Sequence, residues 1–122
     1  MPSRPYRLSC HCGNIRLEVD ADLEDLLECN CSMCRRFGAI HWYVEASAIT
    51  LLDEKRALSS YVWRAVHEAH QFCGTCGTSL MRTGYPNGVV ALNACAIEEI
   101  DPFTLGAKRF DGRSKMEPGV LP

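Results

Sequence analysis

The stretch FCGTCGT, residues 72–78, contains two cysteines three positions apart, each followed by a glycine. C-x-x-C-G is typical of a zinc knuckle, a tight turn that directs two thiolates at one ion, and Gly74 and Gly77 can adopt the positive φ angles such a turn needs. The alternatives are a redox dithiol and unrelated core thiols. A redox C-x-x-C normally opens a helix, whereas the strand-like TSLMRT, residues 78–83, follows here. The pattern therefore favours a structural metal site.

A second cysteine pair, in SCHCG at residues 9–13, can supply the two zinc ligands that the knuckle lacks. A structural zinc ion takes four ligands in a tetrahedron, and each pair provides two. Both pairs are expected at strand ends. A zinc site on Cys10, Cys12, Cys73 and Cys76 would connect an N-terminal hairpin to the later half of the chain, a staple of the kind that small β domains use.

Length, composition and charge limit the fold and the partners. A chain of 122 residues that is 47% hydrophobic and 23% charged is expected to form one globular domain over residues 1–122. A net charge of -2 and a pI near 6.1 predict no nucleic-acid partner. No apolar run approaches the ~20 residues of a membrane span, and MPSRPYRLSC at the start lacks the apolar segment of a secretory signal. We therefore expect a cytoplasmic protein without a membrane partner, where cysteines favour metal over disulfides.

Alternation and turn signals predict a mainly β fold of small antiparallel sheets with short helical turns. NIRLEV, residues 14–19, alternates apolar and polar side chains, which indicates a hairpin with YRLSC, residues 6–10. A short helix is expected from Ser32 to Phe37, ending at Gly38. DADLEDLLE is interpreted as a loop or one helical turn, and GYPNG as a tight turn. The further strands are predicted in AIHWYV, AITLL, SSYVWRAV, TSLMRT and VVALNAC.

A third cysteine group lies in CNCSMCRR, residues 29–36, where two arginines directly follow the last cysteine. Structural cysteines behave as small buried hydrophobes, and clustering them gains nothing for packing. The C-x-C-x-x-C spacing therefore indicates chemistry rather than fold.

Taken in order, the motifs C-x-C-G, C-x-C-x-x-C-R-R, F-C-x-x-C-G-T and V-x-L-N-A resemble those of the glutathione-dependent formaldehyde-activating (GFA) enzyme family. The resemblance runs from about Leu8 to Leu105 and leaves residues 106–122 as a C-terminal tail. It implies a zinc-stapled β-tent with a structural zinc on the two cysteine pairs above. The family often has a histidine between its first two catalytic cysteines; here that position is Asn30, which we interpret as a spacer. The resemblance places a second, catalytic zinc on Cys29, Cys31 and Cys34.

Three protein ligands leave the fourth position of a zinc ion open for water or substrate, as catalytic sites require. Three thiolates outweigh the charge of Zn²⁺, so Arg35 and Arg36 are expected to offset the excess or to bind a substrate carboxylate. The alternative for these arginines is a solvated pair on a helical turn. Cys95 is expected to be a buried, inert thiol; the alternative is a fourth ligand that closes the site.

The resemblance implies a zinc-dependent carbon–sulfur lyase or synthase that acts on adducts of glutathione or a similar thiol, such as S-hydroxymethylglutathione. Metal coordination would deprotonate the thiol without a separate general base. Proton transfer at the hydroxymethyl group would fall to His70, His41 or water. The alternative function is a non-catalytic, zinc-stabilised binding module, either a glutathione carrier or a protein-interaction domain. The fourth position of the second zinc distinguishes the two, and the sequence leaves the oligomeric state open.

Overall fold

The computed structural model describes residues 1, 3–53, 57–62 and 69–115. Within them the chain is mainly β, as predicted, and its two α-helices have four residues each. The α-helices are α1 (Cys34–Phe37) and α2 (Gly112–Lys115). The strands are β1 (Arg4–Ser9), β2 (Arg16–Ala21), β3 (Leu27–Cys29), β4 (His41–Glu45), β5 (Ile49–Asp53), β6 (Leu58–Val62), β7 (Ala69–Cys73), β8 (Ser79–Thr83), β9 (Val89–Asn93) and β10 (Lys108–Phe110). Short 3₁₀ turns cover Ala46–Ala48, Pro86–Gly88, Ala94–Ala96 and Pro102–Thr104.

The strands form two sheets. One has three strands in the order β1-β2-β5, and the other has seven in the order β10-β3-β4-β9-β8-β7-β6. Neighbouring strands are antiparallel, as predicted, with one exception: β10 runs parallel to β3 at the end of the larger sheet. This strand lies within residues 106–122, the predicted C-terminal tail.

One buried apolar cluster joins the two sheets. The alternation in NIRLEV is confirmed, because Leu17 and Val19 of β2 are buried in this cluster and the intervening Glu18 is not. Trp42 of β4 contributes the largest fully buried side chain and meets the ring of Tyr6 edge-on, with centroids 5.5 Å apart. Its indole N–H donates to the carbonyl oxygen of Asp22 at 2.8 Å, so the polar end of the ring is satisfied inside the core.

The predicted turns are present. Helix α1 begins at Cys34, two residues later than predicted, and ends at Phe37 as predicted. Gly38 follows as its cap, and a φ of 67° lets its N–H reach the carbonyl oxygen of Cys34 at 2.9 Å. The turn Pro86–Gly88 connects β8 to β9. DADLEDLLE forms no helix; β3 begins at its Leu27. The predicted strand SSYVWRAV is observed as far as Val62, and residues 63–68 lie outside the described part.

Across residues 1, 3–53, 57–62 and 69–115, no helix has the length and apolar character needed to cross a membrane.

Candidate metal centres and substrate clefts

The four cysteines of the two pairs converge. Their sulfur atoms all lie within 4.8 Å of one another. The Sγ atom of Cys12 is 3.5 Å from that of Cys10 and 3.6 Å from that of Cys73. A tetrahedral zinc ion with bonds of about 2.3 Å separates its sulfurs by about 3.8 Å, so the donor type and the spacing both fit a four-sulfur metal site.

Local backbone geometry builds the knuckle. Strand β7 ends at Cys73, whose sulfur accepts from the N–H of Cys76 at 3.4 Å. Gly77 has a φ of 83°, as expected for the turn. Gly74 does not have a positive φ; instead it permits close approach, because a Cβ there would lie 2.5 Å from Oγ of Ser59 and 3.1 Å from the carbonyl oxygen of Ala57. The expectation of a positive φ was therefore correct at one of the two glycines.

Thr78 joins the two halves of this four-cysteine site. Its hydroxyl oxygen accepts from the backbone N–H of His11 at 3.0 Å and lies 3.2 Å from the sulfur of Cys76. The hydroxyl hydrogen is thus available to Cys76, and this contact lowers the pKa of the Cys76 thiol to about 5. A thiolate, the form that binds metal, is therefore favoured at this position.

The triad Cys29, Cys31 and Cys34 forms a second group, with sulfurs that also lie within 4.8 Å of one another. Cys29 is the last residue of β3 and Cys34 the first of α1, so the connecting loop curls around the three sulfurs. Backbone N–H groups point at two of them: Cys31 donates to the sulfur of Cys29, and Cys34 to that of Cys31, both at 3.4 Å. These donors stabilise the ionised form, as metal binding requires.

Cys95 belongs to neither sulfur group in the described chain, and its thiol is exposed. The expectation of a buried thiol was wrong. Strand β9 ends at Asn93, and the following 3₁₀ turn, held by the Cys95 N–H on Oδ1 of Asn93 at 3.0 Å, directs this residue outward. Within the described residues the triad therefore has three sulfurs and no fourth.

A buried histidine contacts the triad. Nε2 of His41 lies 3.3 Å from Sγ of Cys34. Burial and the positive charge of Arg82 lower the pKa of His41 to about 4, so the imidazole is neutral at neutral pH. Burial raises the pKa of the Cys34 thiol, while the charge of Arg82 opposes that rise. A neutral ring beside a metal-bound thiolate would donate its Nε2–H to the sulfur.

The second candidate histidine, His70, lies on the same side of the sheet. It stacks on Phe37 of α1, with centroids 5.1 Å apart and ring planes 9° from parallel. Together with Cys34, His41 and Arg82, it lines a cavity of about 10 Å³, roughly the space of one water molecule. Both histidines that the sequence offered for proton transfer thus line this cavity, and the contact with a triad sulfur comes from His41.

Two open clefts reach the triad from the surface. One, of about 390 Å³, is bounded by Cys29, Asn30 and Arg35 on one side and by residues 109–111 on the other. The second, of about 280 Å³, has Cys29, Cys34 and Arg35 in its wall. Arg35 therefore borders both clefts. Arg36 borders neither, and its guanidinium donates to the carbonyl oxygen of Ser32 at 2.7 Å, closing the turn around the triad.

A sequence model of the family described as glutathione-dependent formaldehyde-activating enzyme matches residues 5–110. The chain belongs to this GFA family. Its fold is also similar to that of a Rhodobacter sphaeroides protein whose crystal structure was solved as a structural-genomics target. The two are 29% identical and superpose with a TM-score of 0.77, over 84% of this chain and 97% of the other.

Two features of this GFA protein's site were missed in the sequence. Arg82 is buried and borders the small cavity beside Cys34, although TSLMRT marks it only as one position in a strand. Asn30, interpreted as a spacer, holds the tail through its side chain, with Nδ2 3.0 Å from Oδ1 of Asp111. An arginine that directly follows the apolar Leu80 and Met81 in a strand was a signal for the first; nothing local signals the second.

Proposed function

We propose that this GFA protein is a zinc-dependent carbon–sulfur lyase that makes or breaks adducts of glutathione such as S-hydroxymethylglutathione. The observation that carries the proposal is the triad, with three sulfurs within 4.8 Å of one another next to two clefts and no fourth sulfur in the described chain. A closed metal site has no use for adjoining clefts, whereas an open one needs access for substrate. Membership of the GFA family supports glutathione and formaldehyde as the reactants.

The two cysteine groups have separate roles in this proposal. Cys10, Cys12, Cys73 and Cys76 would hold a structural zinc, which ties β7 to the N-terminal hairpin. Cys29, Cys31 and Cys34 would hold the catalytic zinc. A zinc ion held by the triad supplies Lewis acidity, which favours the ionised form of an incoming thiol.

The reaction needs no further reactant. In the direction of synthesis, the glutathione thiol gives up its proton to water, the sulfur forms a bond to the carbonyl carbon of formaldehyde, the π pair of the C=O bond moves to oxygen, and the oxygen takes a proton from water. The reverse reaction breaks the same carbon–sulfur bond and returns the thiol and the aldehyde. A positioned sulfur gains rate because the two reactants no longer have to meet in the correct orientation.

The chain's residues would bind and orient the substrate. Arg35 borders both clefts beside Cys29, where its guanidinium can bind a glutathione carboxylate and hold the thiol near the triad. Nε2 of His41 is already engaged with Cys34, so we assign this histidine to holding a ligand. Proton delivery to the hydroxymethyl oxygen is then assigned to water from the open clefts.

The test is exchange NMR on glutathione mixed with ¹³C-formaldehyde, with and without catalytic amounts of the zinc-loaded protein. We expect the interconversion rate of S-hydroxymethylglutathione to rise in proportion to protein concentration. Cys31→Ser should abolish the increase, and Cys95→Ser should retain it because that thiol is exposed and lies outside both sulfur groups. If the protein binds glutathione but the interconversion rate equals that in buffer, the protein is a glutathione carrier and not an enzyme.

A further inference from the structure

The C-terminal segment returns to the triad instead of ending on a remote surface. Strand β10 pairs in parallel with β3, which sets Arg109 beside Glu28 and Phe110 beside Cys29. The backbone N–H of Asn30 donates to the carbonyl oxygen of Phe110 at 3.4 Å. Because β3 ends at the first cysteine of the triad, this pairing places residues 109–111 along the cleft of about 390 Å³.

The side chain of Asn30 fastens this segment. Its Nδ2 donates to Oδ1 of Asp111 at 3.0 Å, and its Oδ1 accepts from the backbone N–H of Arg113 at 2.9 Å. The donor and the acceptor of the amide therefore both form hydrogen bonds, to residues 81 and 83 positions away in the sequence. An aspartate at position 30 would lose the donor and face the carboxylate of Asp111, so the requirement is for an amide.

The resulting cleft has charges of both signs. Arg35 borders it from the cysteine loop and Arg109 from the tail, and the carboxylates of Glu28 and Asp111 also belong to the wall. Arg109 and Glu28 form an ion pair at 3.7 Å, but the arginine side chain is 89% exposed, so the pair is weak and a ligand carboxylate can replace it. Such a wall suits a ligand that carries carboxylates and an ammonium group, not a plain alkyl thiol.

We propose that residues 109–111 of the tail complete the substrate site, with Arg109 as a specificity-determining residue that binds a carboxylate of a peptide-like thiol. Asn30 is the positioning residue that keeps this segment against the cysteine loop. The inference rests on the proposed function, because the thiol is the group that enters the triad. It adds that the tail, together with Arg35, distinguishes glutathione from smaller thiols.

The experiment compares two thiols on the zinc-loaded full chain by calorimetry: glutathione, and 2-mercaptoethanol, which has neither carboxylate nor ammonium. Arg109→Gln and Asn30→Asp should each raise the Kd for glutathione about tenfold, as loss of one charge-assisted contact would, and leave the Kd for 2-mercaptoethanol within about twofold. Arg113→Gln is the matched control. It removes an equal charge from the same segment, its side chain is absent from the cleft wall, and both Kd values should stay unchanged.

The outcomes separate this inference from the proposed function. If Arg109→Gln leaves glutathione binding unchanged, or Arg113→Gln weakens it equally, the tail site is overturned while thiol binding at the triad stands. Wild-type protein that binds glutathione no more tightly than 2-mercaptoethanol overturns the tail site as well. Protein that binds neither thiol overturns the proposed function, and the tail site with it. Equal weakening of both thiols by Asn30→Asp would show that Asn30 acts on the triad, not on the tail.

Discussion

The Nε2 atom of His41 lies 3.3 Å from the Sγ atom of Cys34, and both side chains are buried. Strand β4 begins at His41 and α1 begins at Cys34, so the contact joins the larger sheet to the loop that carries the triad. A buried hydrogen bond to a metal-binding sulfur fixes the orientation of that ligand. The contact therefore fixes the triad, the second candidate metal centre, against the larger sheet.

We predict that His41→Phe weakens metal retention at the triad while the fold persists. Phenylalanine keeps the ring volume and removes the donor, and loss of such an outer contact typically lowers metal affinity about tenfold or more. Competition with a chromophoric chelator measures the retention. Tyr43→Phe, two positions along the same strand and pointing to the same side of the sheet, is the control and should match the wild type. Equal retention in His41→Phe and wild type would contradict the role of His41.

Substitutions in the two cysteine groups should have different consequences for folding. Cys73→Ser removes a ligand whose zinc would contribute folding free energy on the order of 10 kcal/mol, so we expect the variant to unfold or aggregate. Cys31→Ser should stay folded and lose one of two zinc ions. Elemental analysis of the wild type should find two ions per chain, with the triad's ion released first by chelators, because three thiolates hold zinc less tightly than four.

Thermal unfolding with metal analysis on both variants checks this assignment. Equal loss of melting temperature would mean that the roles of the two groups are assigned wrongly. One ion or fewer in wild-type protein, after growth with zinc and gentle purification, would contradict the two-site interpretation.

Features with a local cause could be predicted from the sequence. The pairing of Cys10 and Cys12 with Cys73 and Cys76 followed from the number of ligands that zinc takes, and the hairpin followed from alternation within one strand. The turn at Gly38 followed from the freedom of glycine at positive φ. Each of these depends on a few adjacent residues or on one stoichiometric rule.

What escaped prediction depends on distant contacts. Strand β10 has three residues and no periodicity of its own; it forms because β3 offers an edge, and Asn30 finds its partners more than 80 positions away. Leu80 and Arg82 are both buried, as alternation along β8 predicts, but Leu80 packs in the core whereas Arg82 lines the cavity beside Cys34. Cys95 was misjudged because it lies in the 3₁₀ turn that follows β9, where it is exposed, and not in the buried strand itself.

Gly74 should tolerate no side chain. A Cβ there would meet Oγ of Ser59 at 2.5 Å and the carbonyl oxygen of Ala57 at 3.1 Å, so Gly74→Ala forces the neighbouring strand away from the knuckle. We expect a loss of about 1–3 kcal/mol in the free energy of unfolding, measured by denaturant titration.

Two further variants isolate the cause. Gly106→Ala, where a Cβ meets nothing within 4 Å, should leave the stability unchanged. Ser59→Ala combined with Gly74→Ala should recover part of the loss, because the nearest clashing atom is gone. A double variant as unstable as Gly74→Ala alone would assign the clash to the Ala57 carbonyl instead.

The last prediction concerns the sulfur of the ligand. Glutathione should bind the zinc-loaded protein, whereas S-methylglutathione, which has the same carboxylates and ammonium but cannot ionise at sulfur, should bind far more weakly. The physical reason is that the metal–sulfur contact is available only to a thiolate. Calorimetry with both ligands, repeated on Cys31→Ser, makes the measurement, and the difference between the ligands should disappear in that variant. Equal affinities in the wild type would mean that the clefts bind the peptide without a contact between its sulfur and the triad. The proposed role of the triad in activating the thiol would then be wrong.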